Sequence, residues 1–81
     1  MKVSVLYFAQ ARERAGCGQE WIELAAGADL EAARAAIRAA HPNMDPLWPH
    51  LAVAIDGVLA PAHATLRDGA EIALLPPVSG G

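Results

Sequence analysis

The sequence predicts a small α+β domain in which one mixed sheet carries one main helix on one face. Its 81 residues are 54% hydrophobic, which suits one compact core and leaves no room for a second. Strand-like apolar runs occupy both ends of the chain, and one amphipathic helical pattern lies between them. The predicted order is strand, short helix, strand, main helix and three strands. A right-handed crossover would place the main helix on one face of the sheet.

Two strands and a short helix are predicted in the first part of the chain. Residues 2–8 (KVSVLYF) are nearly all apolar, which indicates a central strand covered on both faces. Residues 9–16 (AQARERAG) predict one or two helical turns that end at Gly16. Residues 20–24 (EWIEL) alternate in polarity and predict a strand near an edge, with Trp21 interpreted as a packing group.

The main helix is predicted over residues 29–40. Asp29 is a suitable N-cap residue, and small or apolar side chains recur on one helical face, at Leu30, Ala33, Ile37 and Ala40. Pro42 ends the helix, because the residue before a proline is disfavoured in the helical conformation. Three prolines within residues 42–50 predict an ordered but irregular loop.

A hairpin and a last strand are predicted in the C-terminal part. Residues 51–55 (LAVAI) predict a strand, Asp56-Gly57 a tight turn, and residues 58–60 a short returning strand. A second turn at residues 66–69 leads into the last strand, residues 71–75 (EIALL).

The domain is expected to span residues 1–75 and to be followed by an extended, flexible tail, residues 76–81 (PPVSGG). Pro76 and Pro77 end the last strand, because neither can donate a ladder hydrogen bond. They stiffen the base of the tail, whereas the two terminal glycines remove every side chain from its tip. A narrow channel in a partner protein would require both features.

Charge and composition exclude several classes of partner. The net charge of −3 argues against nucleic acid, because phosphate binding needs clustered Lys and Arg. Residues 39–81 carry that whole excess, so a partner meeting this end is expected to be basic there. No apolar run approaches the roughly 20 residues that span a bilayer, and the N-terminal apolar stretch is too short for a signal peptide. One cysteine excludes an internal disulfide, and we expect a cytoplasmic protein.

Conventional catalysis finds little support in the side chains. Cys17 has no histidine near it in the sequence and is interpreted as a small, half-buried filler. His41, His50 and His63 lack a metal-ligand spacing, so no metal site is predicted. His41 is explained by its place near a helix C-terminus, where a cation compensates the helix dipole.

The functional group at the tip of the tail is the α-carboxylate of Gly81. The tail reaches about 20 Å from the domain when extended. A carboxylate is a poor electrophile, so acyl chemistry requires prior activation, for instance as a mixed anhydride with AMP. The chain has no phosphate-binding loop, so a second enzyme must supply the ATP site.

Segments from both ends of the chain carry a resemblance to a known family. They are residues 5–9 (VLYFA), residues 66–72 (LRDGAEI) and residues 76–81 (PPVSGG). Over essentially its whole length, the chain resembles the small subunits of molybdopterin synthase, the MoaD-type sulfur carriers with a ubiquitin-like β-grasp fold. It departs from them at Leu74 and Leu75, where aromatic residues are common, and at Asp56, where asparagine is common.

The resemblance implies a carrier chemistry with no permanently bound cofactor. A ubiquitin-activating-type enzyme would adenylate the Gly81 carboxylate with ATP, and a sulfur donor would convert it to a thiocarboxylate. The tail would then enter the active site of the large subunit, where the sulfur passes to cyclic pyranopterin monophosphate. The residues that the resemblance assigns to this threading are Pro76, Pro77, Val78, Ser79 and Gly80.

The resemblance also implies the form of the complex, a heterotetramer of two small and two large subunits. Its docking patch would consist of Phe8, Leu59 and Leu75 beside the two prolines. The alternation of the strands does not decide which of their faces is exposed.

Three other functions remain open from the sequence. A sulfur carrier for thiamine synthesis or another thiolation pathway would use the same tail chemistry. A ubiquitin-like protein modifier would join Gly81 to lysines of target proteins. An interaction module with an inert tail would tolerate alanine at Gly80 and Gly81.

Overall fold

The computed structural model describes residues 1–77, and the predicted tail residues Val78, Ser79, Gly80 and Gly81 lie outside the described residues. The predicted order of elements is confirmed. The elements are β1 (Lys2–Tyr7), α1 (Ala9–Ala15), β2 (Gln19–Glu23), α2 (Leu30–Ala40), a 3₁₀ helix (Pro42–His50), β3 (Ala52–Ile55), β4 (Val58–Leu59) and β5 (Glu71–Leu75).

The five strands form one mixed sheet in the order β2-β1-β5-β3-β4. The first and last strands of the chain, β1 and β5, run parallel at its centre, with Val5 opposite Ile72. The other neighbouring strands are antiparallel. This arrangement confirms the predicted α+β class, the central position of β1 and the edge position of β2. The predicted cover on both faces of β1 is wrong, because the helices pack on the face of Val3, Val5 and Tyr7, whereas Lys2 is exposed and Leu6 only half-buried on the other face.

The core lies between one face of this sheet and the helices. Every second residue of β1 (Val3, Val5 and Tyr7) is buried in it, as are Ile72 and Leu74 of β5. Burying one such aliphatic side chain contributes about 1.5–3 kcal/mol. The helices supply the buried residues Ala11, Leu30, Ala33, Ile37, Met44 and Trp48.

The predicted ends of both α-helices are confirmed. The Ala32 amide donates a hydrogen bond to Oδ1 of Asp29 at 3.0 Å, so Asp29 caps the start of α2. Helix α1 ends at Gly16, whose φ of 80° is left-handed and favours glycine. The predicted buried face of α2 extends one turn too far, because Ala40 is exposed.

The predicted irregular loop over residues 42–50 is wrong, because this segment forms a 3₁₀ helix. Its prolines restrict φ to values that a 3₁₀ helix also uses. The segment contributes Met44 and Trp48 to the core, which anchors it against the sheet layer.

The predicted tight turn between β3 and β4 is confirmed. Asp56 and Gly57 have φ values of 50° and 85°, the positive values that a two-residue hairpin turn requires. The Glu71 amide donates to Oδ1 of Asp56 at 3.0 Å, which ties the turn to the start of β5. Within residues 1–77, none of the helices has the length and hydropathy needed to cross a bilayer.

Candidate functional site

The tail begins at the centre of the sheet. Strand β5 lies between β1 and β3, and it ends at Leu75. Pro76 is half-buried and Pro77 is exposed, so the chain has left the core at this point. Any group carried beyond Pro77 therefore starts next to the central strands of the sheet.

Toward the C-terminal end of β5, the sheet face opposite the core is apolar and largely built from small residues. Directly paired residues share a face, and the register aligns Leu6, Ala73, Ala54 and Leu59 across four strands. Leu75 and Ala52 form the next row toward the tail. We call this surface, defined by Leu6, Ala52, Ala54, Leu59, Ala73 and Leu75, the open face.

The structure places two of the three predicted docking residues, Leu59 and Leu75, at different points of the open face, and the third, Phe8, beside it. Leu59 is 69% exposed at the edge strand β4, where it also borders a groove beside α2. Leu75 lies on β5, and Phe8 follows β1 and is 44% exposed. Phe8 and Leu75 meet in one groove, whereas β3 separates Leu59 from Leu75.

Trp21 lies on the same face of the sheet as the open face, at the other edge strand and beside the polar residues Ser4 and Gln19. It lies opposite Ser4 on β2 and is 60% exposed, so its interpretation as a packing group is wrong. The side chain that packs toward the core is its neighbour Ile22. The alternation of β2 and its edge position are the signals that could have identified Trp21 as a surface residue.

A groove of about 540 Å³ lies between α1 and the start of the tail. Phe8, Gln10 and Glu13 line one side, and Leu75, Pro76 and Pro77 line the other. We call it the tail-base groove. Its walls are apolar except at the rim that α1 supplies.

A cluster of Tyr7, Glu20 and His41 joins β1, β2 and the end of α2, and sequence reasoning missed it. The Tyr7 hydroxyl donates to Oε2 of Glu20 at 2.7 Å, and Nε2 of His41 lies 2.5 Å from the same oxygen. The rings of Tyr7 and His41 meet edge to face at 5.5 Å. Helix-dipole compensation was therefore an incomplete explanation of His41.

These contacts set the protonation of the cluster. Burial alone would raise the pKa of Glu20, but hydrogen bonds from Tyr7 and His41 outweigh burial and lower it. Burial, followed by the hydrogen bond to Glu20, raises the pKa of Tyr7. Glu20 is therefore a carboxylate that accepts hydrogen bonds from both Tyr7 and His41.

Cys17 borders the same cluster and is half-buried, as predicted. Its Sγ lies 3.8 Å from Oε2 of Glu20. Burial and the negative charge of Glu20 raise the pKa of the Cys17 thiol, so the reactive thiolate is disfavoured.

The other predicted candidates are dispersed. His50 is exposed, and His63 lies on the surface with Nδ1 3.5 Å from Asp29. Among residues 1–77, no three His, Cys, Asp or Glu side chains are grouped so that they could hold a metal ion.

A mixed five-stranded sheet of this order, with one main helix on one face, defines the class of ubiquitin-like β-grasp proteins. Within that class the chain belongs to the ThiS family, whose model matches residues 5–81. The match includes the Gly-Gly terminus.

Individual relatives agree with this assignment. The chain is 41% identical, over 100% of both chains, to a molybdopterin synthase sulfur carrier subunit of Chlamydomonas reinhardtii. It superposes on the crystal structure of SAMP1, the small archaeal modifier protein 1 of Haloferax volcanii, with a TM-score of 0.92, 28% identity and 100% of both chains covered. One chain in a complex of subunits 1 and 2 of the molybdopterin-converting factor from Helicobacter pylori matches with a TM-score of 0.76 and 29% identity. The match covers 100% of this chain and 100% of that chain. The predicted fold and family resemblance are confirmed.

Proposed function

We propose that this chain is the sulfur-carrier subunit of molybdopterin synthase and that Gly81 carries the sulfur as a thiocarboxylate. The observation that supports this most is the 41% identity, over the whole chain, to a protein named as such a subunit. The central position of β5 adds support, because the tail then starts from a strand that is paired on both sides and lies beside an apolar surface.

Activation requires a partner enzyme. A carboxylate oxygen of Gly81 attacks the α-phosphate of ATP and releases pyrophosphate, in an adenylating enzyme of the ubiquitin-activating type. Sulfide from a donor then attacks the acyl carbon of the adenylate, a carbon–sulfur bond forms as the bond to AMP breaks, and a thiocarboxylate is left at the C-terminus. ATP is consumed in that enzyme, and this chain retains no cofactor. We place the reaction in the cytoplasm, since the single cysteine Cys17 requires no oxidising compartment.

Delivery requires the folded domain, residues 1–75, to dock on the large subunit while the narrow tail, residues 76–81, enters its active site. Phe8, Leu59 and Leu75, with Trp21 at the other edge strand, provide apolar area for contact with the large subunit. Contacts made by the folded domain offset the entropic cost of ordering the tail. Pro76, Pro77, Val78, Ser79 and Gly80 then lead the sulfur into the large subunit, where it passes to cyclic pyranopterin monophosphate. We propose the assembly of two small and two large subunits.

The state of Cys17 supports a sulfur carried on the tail. A cysteine that receives or passes sulfur acts as a thiolate, and burial together with Glu20 disfavours that form here by raising the pKa of Cys17. By contrast, Gly80 and Gly81 carry no side chain that could block access to the Gly81 carboxylate.

One test uses the wild-type chain carrying a C-terminal thiocarboxylate made chemically, without the activating enzyme. It is mixed with the large subunit and cyclic pyranopterin monophosphate, and the unmodified carboxylate chain is the matched control. We expect the thiocarboxylate to revert to a carboxylate while a dithiolene forms, and the control to form none. A thiocarboxylate that stays intact in the complete mixture contradicts the proposal.

A protein modifier is the second candidate, and the match to SAMP1, named a modifier, favours it. It predicts isopeptide bonds between Gly81 and lysines in cell extracts. A sulfur carrier for thiamine or another thiolation pathway would retain the tail chemistry and differ in the acceptor. Testing the thiocarboxylate chain against several acceptors separates these functions.

A further inference from the structure

The tail-base groove is the one described cavity whose wall includes the start of the tail. Pro76 and Pro77 form part of that wall, so whatever fills the groove contacts the tail at its origin. Phe8 and Leu75 belong both to the groove and to the proposed docking patch. A partner that covers the patch therefore covers the groove as well.

The rim of the groove is acidic, because Glu13 is the only one of the three charged side chains of α1 that borders it. Arg14 is turned to the 3₁₀ helix, where its Nη1 donates to the Asn43 carbonyl at 2.9 Å. Arg12 lies over Gly18, where an added Cβ would be 3.4 Å from the guanidinium carbon. Glu13 lines the groove, and within residues 1–77 it forms no ion pair.

The backbone at this wall is strained. Ala9 lines the groove beside Phe8 and has a φ of 49°, in the left-handed region that alanine rarely adopts. Strain of this kind is found where the surrounding structure holds a functional surface in place.

These walls together fit one kind of side chain. The apolar surfaces of Phe8, Leu75 and Pro76 suit an aliphatic stem and a planar cation stacked on a ring. The Glu13 carboxylate and the Gln10 amide oxygen are hydrogen-bond acceptors for its head. Arginine combines a stacking plane with a fork of donors that matches a carboxylate, and a volume of about 540 Å³ accommodates it.

We infer that the tail-base groove binds an arginine of the large subunit and that Glu13 pairs with its guanidinium. This inference rests on the proposed function, since it names the partner of the same site. The pair fixes the direction in which the tail leaves the domain, because the arginine lies against Pro76 and Pro77. This one contact therefore contributes both to the docking of the domain and to the direction of the tail.

The test measures the affinity of the chain for the large subunit by isothermal titration calorimetry. Glu13→Gln removes the charge and keeps the shape, and Glu13→Lys reverses the charge. Glu31→Gln and Glu31→Lys are the matched controls, because Glu31 is exposed on α2 and lines none of the groove. Thermal unfolding of all four variants checks that each is folded.

We expect Glu13→Gln to weaken binding by about tenfold and Glu13→Lys by more, with the Glu31 variants close to wild type. The loss should shrink at high salt, which screens an ion pair at an open groove. Phe8→Ala should also weaken binding. If wild type binds the large subunit and the Glu13 variants bind as tightly as the Glu31 variants, the inference about Glu13 is wrong and the proposed function is unaffected. If wild type does not bind the large subunit, the proposed function fails and the inference with it.

Discussion

The Tyr7 hydroxyl and the Glu20 carboxylate are joined by a hydrogen bond of 2.7 Å between the two strands that flank α1. Glu20 lies opposite Val5, so it shares the core face of the sheet with Tyr7. His41 reaches the same carboxylate from the end of α2. A single carboxylate therefore connects the sheet to the helix layer, close to the segment that forms the tail-base groove.

Removal of the Tyr7 hydroxyl tests this connection. Tyr7→Phe keeps the buried ring and leaves Glu20 with one donor fewer. We expect a loss of about 1–2 kcal/mol in the free energy of unfolding, measured by urea denaturation. Repeating the substitution in a Glu20→Gln background should show a smaller loss, because the carboxylate partner is already gone. Equal losses in the two backgrounds would contradict the connection.

Acid should remove the contribution of Glu20 to stability. The folded pKa of Glu20 lies below its ordinary value of 4.5, so the unfolded chain binds the proton first as the pH falls. The stabilisation is complete above the unfolded pKa and is lost as the pH falls through the folded pKa. We expect Glu20→Gln to be less stable than wild type at neutral pH, with the difference shrinking below pH 4.5.

Glu13→Gln, at an exposed residue that forms no ion pair within residues 1–77, is the control for the loss of one negative charge. A stability difference between wild type and Glu20→Gln that stays constant through this acid range would exclude the proposed role of the Glu20 carboxylate.

Cys17 should react slowly with alkylating reagents. Burial and Glu20 raise the pKa of its thiol, so little thiolate is present at neutral pH. We expect Glu20→Gln to accelerate alkylation by iodoacetamide and to move the pH dependence of the rate toward lower pH. A free cysteine in an unfolded peptide of the same local sequence is the reference. Alkylation faster in wild type than in Glu20→Gln would refute this assignment.

Much of the fold could be predicted because its signals are local. Asp29 at the start of α2, Gly16 at the end of α1 and Asp56-Gly57 in the hairpin each act through their own backbone geometry. The prolines of residues 42–50 were misleading. They exclude an α-helix interior, but they are compatible with a 3₁₀ helix once Met44 and Trp48 anchor it.

The surface and the polar cluster were harder to predict, because they depend on contacts between distant segments. Glu20 meets Tyr7 across 13 positions and His41 across 21, and no local pattern reports such a pair. The exposed face of each strand becomes evident only with the register, which places Leu59 in one row with Ala73 and Leu6.

Strand β4 offers a matched test of the open face. Leu59 and Val58 are equally exposed, at 69% and 68%, but successive residues of a strand point to opposite faces. We expect Leu59→Asp to weaken binding to the large subunit by at least about tenfold and Val58→Asp to have little effect. Both variants should fold, because neither residue is buried. Equal weakening by the two variants, or none by Leu59→Asp, would contradict the assignment of the open face as the docking surface.

The central claim is that Gly81 carries sulfur, and the most direct measurement is the intact mass of the chain after reaction. The chain is incubated with ATP, the adenylating enzyme of the same cell and a sulfur donor, and the modified residue is located by fragmentation. The account predicts a mass gain equal to replacement of one oxygen by sulfur, located at Gly81, and no gain in a chain extended by one alanine. An unchanged mass with an enzyme that adenylates the chain, or a gain located at Cys17, would contradict it.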